Sequence, residues 1–379
     1  NEPRQTRLDR IAAALERKNY PEATQLLQPL YRESPNDPWV QFYIGRLYEE
    51  TDKTQAAEKA YRQLLRDASL PKLLTKARQG LQRLEQREKE RRQQAIAQMQ
   101  SDPKSIEQGV LILEATPAEK RTDAAQALAR ILQIDPYTAR LRLQTHGWRL
   151  YRIGTLGELR VYGEELRQAQ IPVFWATLSD IAQIQVFRVR YFQSITPQSA
   201  TVVCQDDRDR LGALTFNWSE VSQRVDGRLP IFVNAVHYDI SRRSSEQIQR
   251  KTETHDYAQV CDLQLPDRRC FLRFGDWSYQ FVEGVQFTTN PQQPHANIGG
   301  VTNRIKWNAL LAVLSKQLPR AKVWSEFTPF AETAIEYSLM LERLTTHIDL
   351  PRKEPSDWDA AFQLYSGLAF LRKELGVRF

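Results

Sequence analysis

Ile44-Gly45-Arg46-Leu47-Tyr48, followed by Ala57 and then Tyr61, is the stretch from which the fold of this chain is read. Gly45 and Ala57 are small enough to let two antiparallel helices approach closely. Tyr48 and Tyr61 are large enough to fill the space between them. Counting back 34 residues from Ala57 and Tyr61 lands on Ala23 and Leu27, and the same offset takes Ser69 to Pro35. Self-similarity at that period is the mark of stacked helical hairpins. From Arg4 to about Met99 there is almost no apolar–polar alternation of the kind strands show.

The pattern resembles the tetratricopeptide repeat, with two repeats at about Gln5–Asn36 and Pro38–Leu70 and a third helix from Pro71 onward. Pro21 and Pro38 fall at first-turn positions, where a missing N–H costs nothing. The first repeat departs from the pattern, with Ile11 where the small glycine belongs. The resemblance implies a concave face lined by the first helix of each pair: Gln5, Leu8 and Ala12, then Trp39, Phe42 and Arg46. Trp39 and Phe42 are three apart and so are neighbours on a helix surface. An aromatic pair with an arginine one turn on has the composition of a binding hot spot. The competing reading is that the helix from Pro71 simply covers these aromatics. Leu8, Ala12 and Tyr43 occupy three positions of the basic-and-asparagine set that clamps a C-terminal carboxylate in such repeats. A hydrophobic or helical segment is therefore the expected ligand. Residues 71–100 read as one helix of roughly 45 Å at 1.5 Å per residue. Leu74, Ala77, Leu81 and Leu84 form its apolar stripe, and the charged run Gln86–Gln93 reads as a solvated cap or a surface for an acidic partner.

At Gly109 the pattern changes. Val110–Leu113, Trp148–Ile153 and Ile171–Ala176 read as strands, with helices between them, in the order β-α-α-β-α-β. The order resembles the C-terminal domain of the bacterial ribosomal stalk protein over about seventy residues, in topology alone. The stretch Thr138-Ala139-Arg140-Leu141-Arg142 lacks the glycines by which that family docks translation factors, so this binding is not implied. Arg140, Arg142, Arg149 and Arg152 lie close enough in sequence to build a basic patch. Solvated arginines, a phosphate contact and a protein contact all remain open readings of it.

From Ala182 the strands are short and alternating: Ile184–Tyr191, Ala200–Cys204, Leu214–Trp218, Pro230–Val236, Tyr257–Leu265 and Cys270–Phe274. A helix at about Asn303–Gln317 follows, with Trp307, Leu310, Leu311 and Leu314 on one face. An apolar strand, Ser219-Glu220-Val221, a basic turn Arg224–Arg228 and another apolar strand together look similar to bacterial pleckstrin-homology-like barrels. The lysine and arginine signature for inositol phosphates is not found, so lipid binding is not implied. Ser241–Thr252, with Arg242, Arg243, Arg250 and Lys251, reads as a mobile polar loop or an anion-binding one. Asn290–His295 reads as a second surface loop. Two helical stretches remain, Phe327–Thr345 and Ser356–Leu375, the latter with an aromatic stripe of Trp358, Phe362, Tyr365 and Phe370.

The 379 residues are 41% hydrophobic and 26% charged, which excludes wholesale disorder. No apolar run approaches the roughly 18–20 residues of a membrane span. Asn1-Glu2-Pro3-Arg4 does not have the form of a signal peptide, and the lack of Met suggests an engineered or a processed start. Cys204, Cys261 and Cys270 lack metal spacing and suit a reducing compartment. The net charge of +7 permits an acidic partner without requiring one. His146, His237, His255, His295 and His347 are scattered. The pair His255-Asp256 would point to opposite faces of a strand. No phosphate loop, nucleotide fingerprint or nucleophile elbow occurs. The expected fold is multidomain α and α+β: helical repeats (1–105), a small βααβαβ module (106–182), an antiparallel barrel-like domain (183–322) and C-terminal helices (323–379). The expected role is a cytoplasmic, non-enzymatic adaptor or scaffold without cofactor or metal, binding protein partners, with self-association and peripheral attachment to a membrane assembly left open. A regulatory sensor of an anionic or nucleotide-like ligand is the alternative, and a nucleic-acid-associated protein is a weaker one.

Overall fold

A computed structural model of the chain describes residues 3–100, 102–238, 248–287, 303–352 and 356–374. They form two compact units, Asn1–Met99 and Gln100–Phe379.

The first unit is helical throughout: α1 (Arg4–Glu16), α2 (Tyr20–Glu33), α3 (Pro38–Glu50), α4 (Thr54–Asp67) and α5 (Pro71–Met99). The repeat is visible in single backbone bonds. Lys18 and Asp52, 34 apart, both turn the chain through the left-handed region, at φ 57° and 58°. Asn19 N donates to Ala14 O as Lys53 N does to Tyr48 O, each at 2.9 Å. These are the bonds that close a helix C-terminus. Asp37 caps α3 through the N–H groups of Trp39 and Val40. Ile11 in place of glycine is accommodated by volume exchange. The second repeat sets Gly45 against Tyr61, whereas the first sets fully buried Ile11 near the smaller Leu27.

Tyr61 is the centre of this unit. A Cβ on Gly45 would lie 2.9 Å from its ring, and one on Gly80 of α5 would lie 2.5 Å from the same ring. The phenol therefore fills a slot between two glycines. Its hydroxyl donates to buried Glu49 at 2.6 Å, and Arg83 donates to the same carboxylate through Nε (2.7 Å) and Nη2 (2.9 Å). Burial acts to raise the Glu49 pKa, but the Arg83 and Tyr61 hydrogen bonds outweigh it and hold the group below its usual range. Arg87 donates to the Glu49 carbonyl and Arg91 to Asp52. One face of the charged run on α5 thus closes the C-terminal end of α3.

The second unit begins with β1 (Gln108–Glu114), α6 (Arg121–Leu132), α7 (Pro136–Arg142), β2 (Trp148–Thr155), α8 (Leu156–Gln168), β3 (Val173–Thr177) and α9 (Leu178–Ala182). The expected element order is present, as an antiparallel sheet in the order β2-β1-β3. It continues with β4 (Gln185–Ile195), β5 (Ser199–Gln205), β6 (Leu211–Asn217), β7 (Gln223–Tyr238), β8 (Ile248–Leu265), β9 (Cys270–Gly275), α10 (Asn303–Gln317), β10 (Lys322–Trp324), α11 (Phe327–Ala334), α12 (Ser338–Leu341) and α13 (Asp357–Glu374).

The expectation of an antiparallel barrel is corrected here. The strands form a mixed sheet in the order β10-β7-β8-β9-β4-β5-β6, with β10–β7 and β9–β4 parallel. Among the described residues its two ends do not pair, so the barrel is not closed. The reason lies in what covers the sheet. Both faces of β8 and β9 are buried between Val260 and Leu265 and between Cys270 and Gly275. Cys261, Leu263 and Phe274 join the core that holds Trp307, Leu310 and Leu314 of α10. Val260 and Phe271 join a second core with α11, α13 and the small sheet. The stretch Arg224–Arg228 is strand, not turn: Arg224 pairs with Asp226 along β7 and donates to Ser315 of α10. Ile248–Thr252 is also strand rather than loop, while residues 241–247 and Asn290–His295 lie outside the described residues. Cys204, Cys261 and Cys270 are buried free thiols.

Helix α13 is buried at every position from Ala361 to Phe370, all round rather than on a stripe. A polar line meets it. Asp262 on β8 lies directly opposite Arg273 on β9, which donates to it at 2.8 Å and 2.7 Å, and Ser366 of α13 donates at 2.6 Å. Gln264 donates to the Ser366 carbonyl, and Gln223 to the Ala369 carbonyl.

Three outcomes are expected. Gly80→Ala gains about 1 kcal/mol of helix propensity, but the overpacking costs about 1–3 kcal/mol because the Glu49 bond stops Tyr61 from swinging away. The net result is a lower melting temperature in a thermal scan. Glu49, with its folded pKa below its unfolded value, contributes stability above about pH 4.5 that is lost as pH falls through the folded value. Hydrogen exchange of the α3 and α4 amides should accelerate over that acidic window, and the Glu49→Gln variant should not show the slope. Arg273→Met strands a buried carboxylate and should cost about 3–5 kcal/mol. Adding Asp262→Asn should return part of that loss in a denaturant titration.

Candidate functional site

The residues expected to line the repeat groove separate into two layers. Leu8 and Phe42 are 3% and 4% exposed and belong to the helix packing. Phe42 sits with Tyr61, Leu73 and Ala77, so α5 covers it. Gln5 is exposed and donates to Asp9 at 3.0 Å, while Ala12, Trp39 and Arg46 are half-buried. Trp39 keeps its edge-on contact with Phe42, at 6.1 Å.

Tyr43 is the aromatic on the open side. It lies 6.4 Å from Trp39 and 5.3 Å from Phe42, centroid to centroid. Burial raises its pKa, Asp9 and Glu16 of α1 raise it further, and Arg46 opposes them. The half-buried stripe of α3 is therefore Trp39, Tyr43, Arg46 and Glu50, with Arg46 donating to Glu50 at 3.3 Å. The i, i+4 spacing of Trp39 and Tyr43 was the signal that could have found it. Asp9 and Glu16 form no ion pair among the described residues.

In the second unit, the charges of Arg142, Arg149 and Arg152 all act on Tyr337, and Arg140 is exposed on α7. Arg242 and Arg243 lie outside the described residues. Arg250 and Lys251 stand on β8 opposite Val236 and Ala235, so they do not form a loop. His255 falls at a bulge of β8, beside Asp256. Among the described residues, no three His, Cys, Asp or Glu side chains are grouped to hold a metal.

A cleft of about 660 Å³ has Trp148, Trp324 and Tyr365 in its walls, and sequence reading missed it. Two of its ionic groups, Arg372 and Glu114, are paired with each other. Arg372 donates twice to Glu114, and the Lys322 ammonium lies 3.4 Å over the Trp324 ring.

No helix of the described residues is long and apolar enough to cross a membrane. No curated protein and no solved structure matches the chain. A family model for the tetratricopeptide repeat matches residues 14–79, which span the end of α1 to the first turns of α5.

Proposed function

We propose that this chain is a non-enzymatic adaptor that binds a protein partner along the α1–α3 face of its helical repeats. The observation that carries the reading is the half-buried stripe Trp39, Tyr43, Arg46 and Glu50, bordered by Asp9 and Glu16, in a segment matching a repeat family associated with protein interaction. Tyrosine and tryptophan bring large contact area with few rotatable bonds, which is why they dominate interface energetics. Arg46 is already paired to Glu50, so the uncompensated charge on this face is that of Asp9 and Glu16. A partner segment with an apolar anchor and a neighbouring cation fits it best. The second unit serves as a further docking or anchoring module in this reading, and the cytoplasm is the matching compartment.

The test is recovery of crosslinked partners from native extract, scored beside thermal unfolding. Trp39→Ala with Tyr43→Ala should abolish recovery and, because both rings also pack against the helical core, lower the melting temperature while leaving the chain folded at the assay temperature. Phe42→Ala, a cavity in the core, should cost about 3–5 kcal/mol of stability. Full recovery by the Trp39/Tyr43 variant would sink the groove reading.

A further inference from the structure

Edge strand β2 carries a cationic cluster that docking along α1 and α3 leaves unused. Arg149 and Arg152 stand opposite Leu113 and Leu111 of β1, both of which face the α6–α8 side of the small sheet. The ladder slips between Leu111 and Ile112, leaving Tyr151 without a partner on β1. That bulge shifts the alternation. Leu150 and Ile153 both pack into the core shared with α11 and α13, while Arg149, Tyr151 and Arg152 take the other face. Tyr337, in the 3-10 turn after α11, donates its hydroxyl to the Tyr151 carbonyl at 3.1 Å.

Arg142, the last residue of α7, completes the group. Burial raises the pKa of Tyr337 and so does Glu336, while Arg142, Arg149 and Arg152 all pull against them. Arg152 and Arg142 act on Tyr151 in the same sense. Leu143, the neighbour of Arg142, packs in the same core as Tyr151, so the end of α7 lies close to the strand that carries Arg149 and Arg152.

Neutralisation of the three arginines is uneven. Arg152 is bound to Glu158 and lies 4.3 Å over the Tyr162 ring, so it is fixed in place. Arg142 and Arg149 are half-buried and form no ion pair among the described residues. Other arginines of this unit with little exposure have carboxylate partners: Arg224 with Asp226, Arg273 with Asp262, Arg352 with Asp359 and Arg372 with Glu114. Gathering like charges without a counter-charge is unfavourable unless an anion supplies it.

We propose that Arg142, Arg149 and Arg152 form a site for a compact phosphate-bearing ligand. Arg152 is its fixed wall, and Arg142 and Arg149 supply the guanidinium forks that suit tetrahedral oxyanions. Compactness follows from the tyrosines. A nucleic-acid strand needs open ring faces in a row, but the face of Tyr162 is taken by Arg152 and the ring of Tyr337 packs against the core shared with α11 and α13.

The experiment is isothermal titration of the full chain with pyrophosphate, and separately with ADP, in low-salt buffer. Saturable binding is expected, weakened about tenfold or more by Arg142→Gln with Arg149→Gln and unchanged by Arg140→Gln. Arg149→Lys, which keeps the charge and loses the fork, should also bind more weakly than the native chain. The unliganded double variant should melt no lower than the native chain, because a repulsion has been removed. Equal binding of pyrophosphate and ADP would mean that phosphate alone is read, and tighter ADP would add the base; either supports the site. No binding of pyrophosphate or ADP, unchanged affinity in the double variant, a lower melting temperature for it, or binding of a single-stranded oligonucleotide without pyrophosphate would overturn it.

Discussion

A carboxylate removed from water has to be surrounded by donors, and that requirement organises the larger unit around Asp262. The residue has no exposure, and its oxygens accept from both arms of Arg273 and from Ser366. Arg273 comes from the neighbouring strand and Ser366 from α13, so one carboxylate fixes a hairpin and a helix together. The consequence for α13 is specific. A helix buried all round has no apolar face by which to choose its rotation. The polar contacts of Ser366, of the Ala369 carbonyl and of Arg372 with Glu114 supply the choice. Close approach then follows. Gly227 and Gly367 stand where a Cβ would meet Phe362 and Ile181, each at 2.6 Å.

The helical unit solves the same problem with a different residue set. Glu49 takes the fork of Arg83 and the hydroxyl of Tyr61, and the ring of Tyr61 is held between Gly45 and Gly80. Three of the arginines of α5, at 83, 87 and 91, stand one turn apart and reach the side chain of Glu49, its carbonyl and Asp52 in turn. What reads in sequence as a solvated charge run is solvated on most of its circumference and structural along one line.

Much of the helical unit was legible because its rule is local. A small residue facing a large one, repeated at 34, can be seen in Gly45, Ala57 and Tyr61 without any tertiary knowledge. Tyr43, read only as filling a clamp position, was left out of the groove in favour of Phe42 because neighbouring helix positions differ by about 100°, and α5 decides which of the two is covered. The repeat offset does not place α5. In the larger unit, Asp262 and Gln264 alternate with Cys261, Leu263 and Leu265, which is the pattern of a strand with one wet face. That face meets α13 instead, and the expected barrel gave way to a sheet covered on both sides. The arginine cluster was half legible: Arg149 and Arg152 share a face only because of a bulge that no residue pattern announces. Arg140 and Arg142, two apart on α7, do not face the same way.

The net charge of +7 is consequently not spread evenly over the surface. Many of the arginines have carboxylate partners at helix ends, across hairpins or along strands, and these charges cancel where they stand. At two places unpaired charge stands beside half-buried aromatics, and they have opposite sign: Asp9 and Glu16 beside the Trp39–Tyr43 stripe, and Arg142 with Arg149 near Tyr151 and Tyr337 at the edge of β2. Exposed pairs contribute little to stability, so uncompensated charge at either place is not a packing requirement. It persists at sites whose neighbours are aromatic and half-buried, where a partner that brings the missing charge also covers apolar surface. Because screening acts more strongly on exposed charges than on half-buried ones, added salt should weaken recognition more at the acidic repeat face, where Asp9 and Glu16 are exposed, than at the half-buried arginine pair.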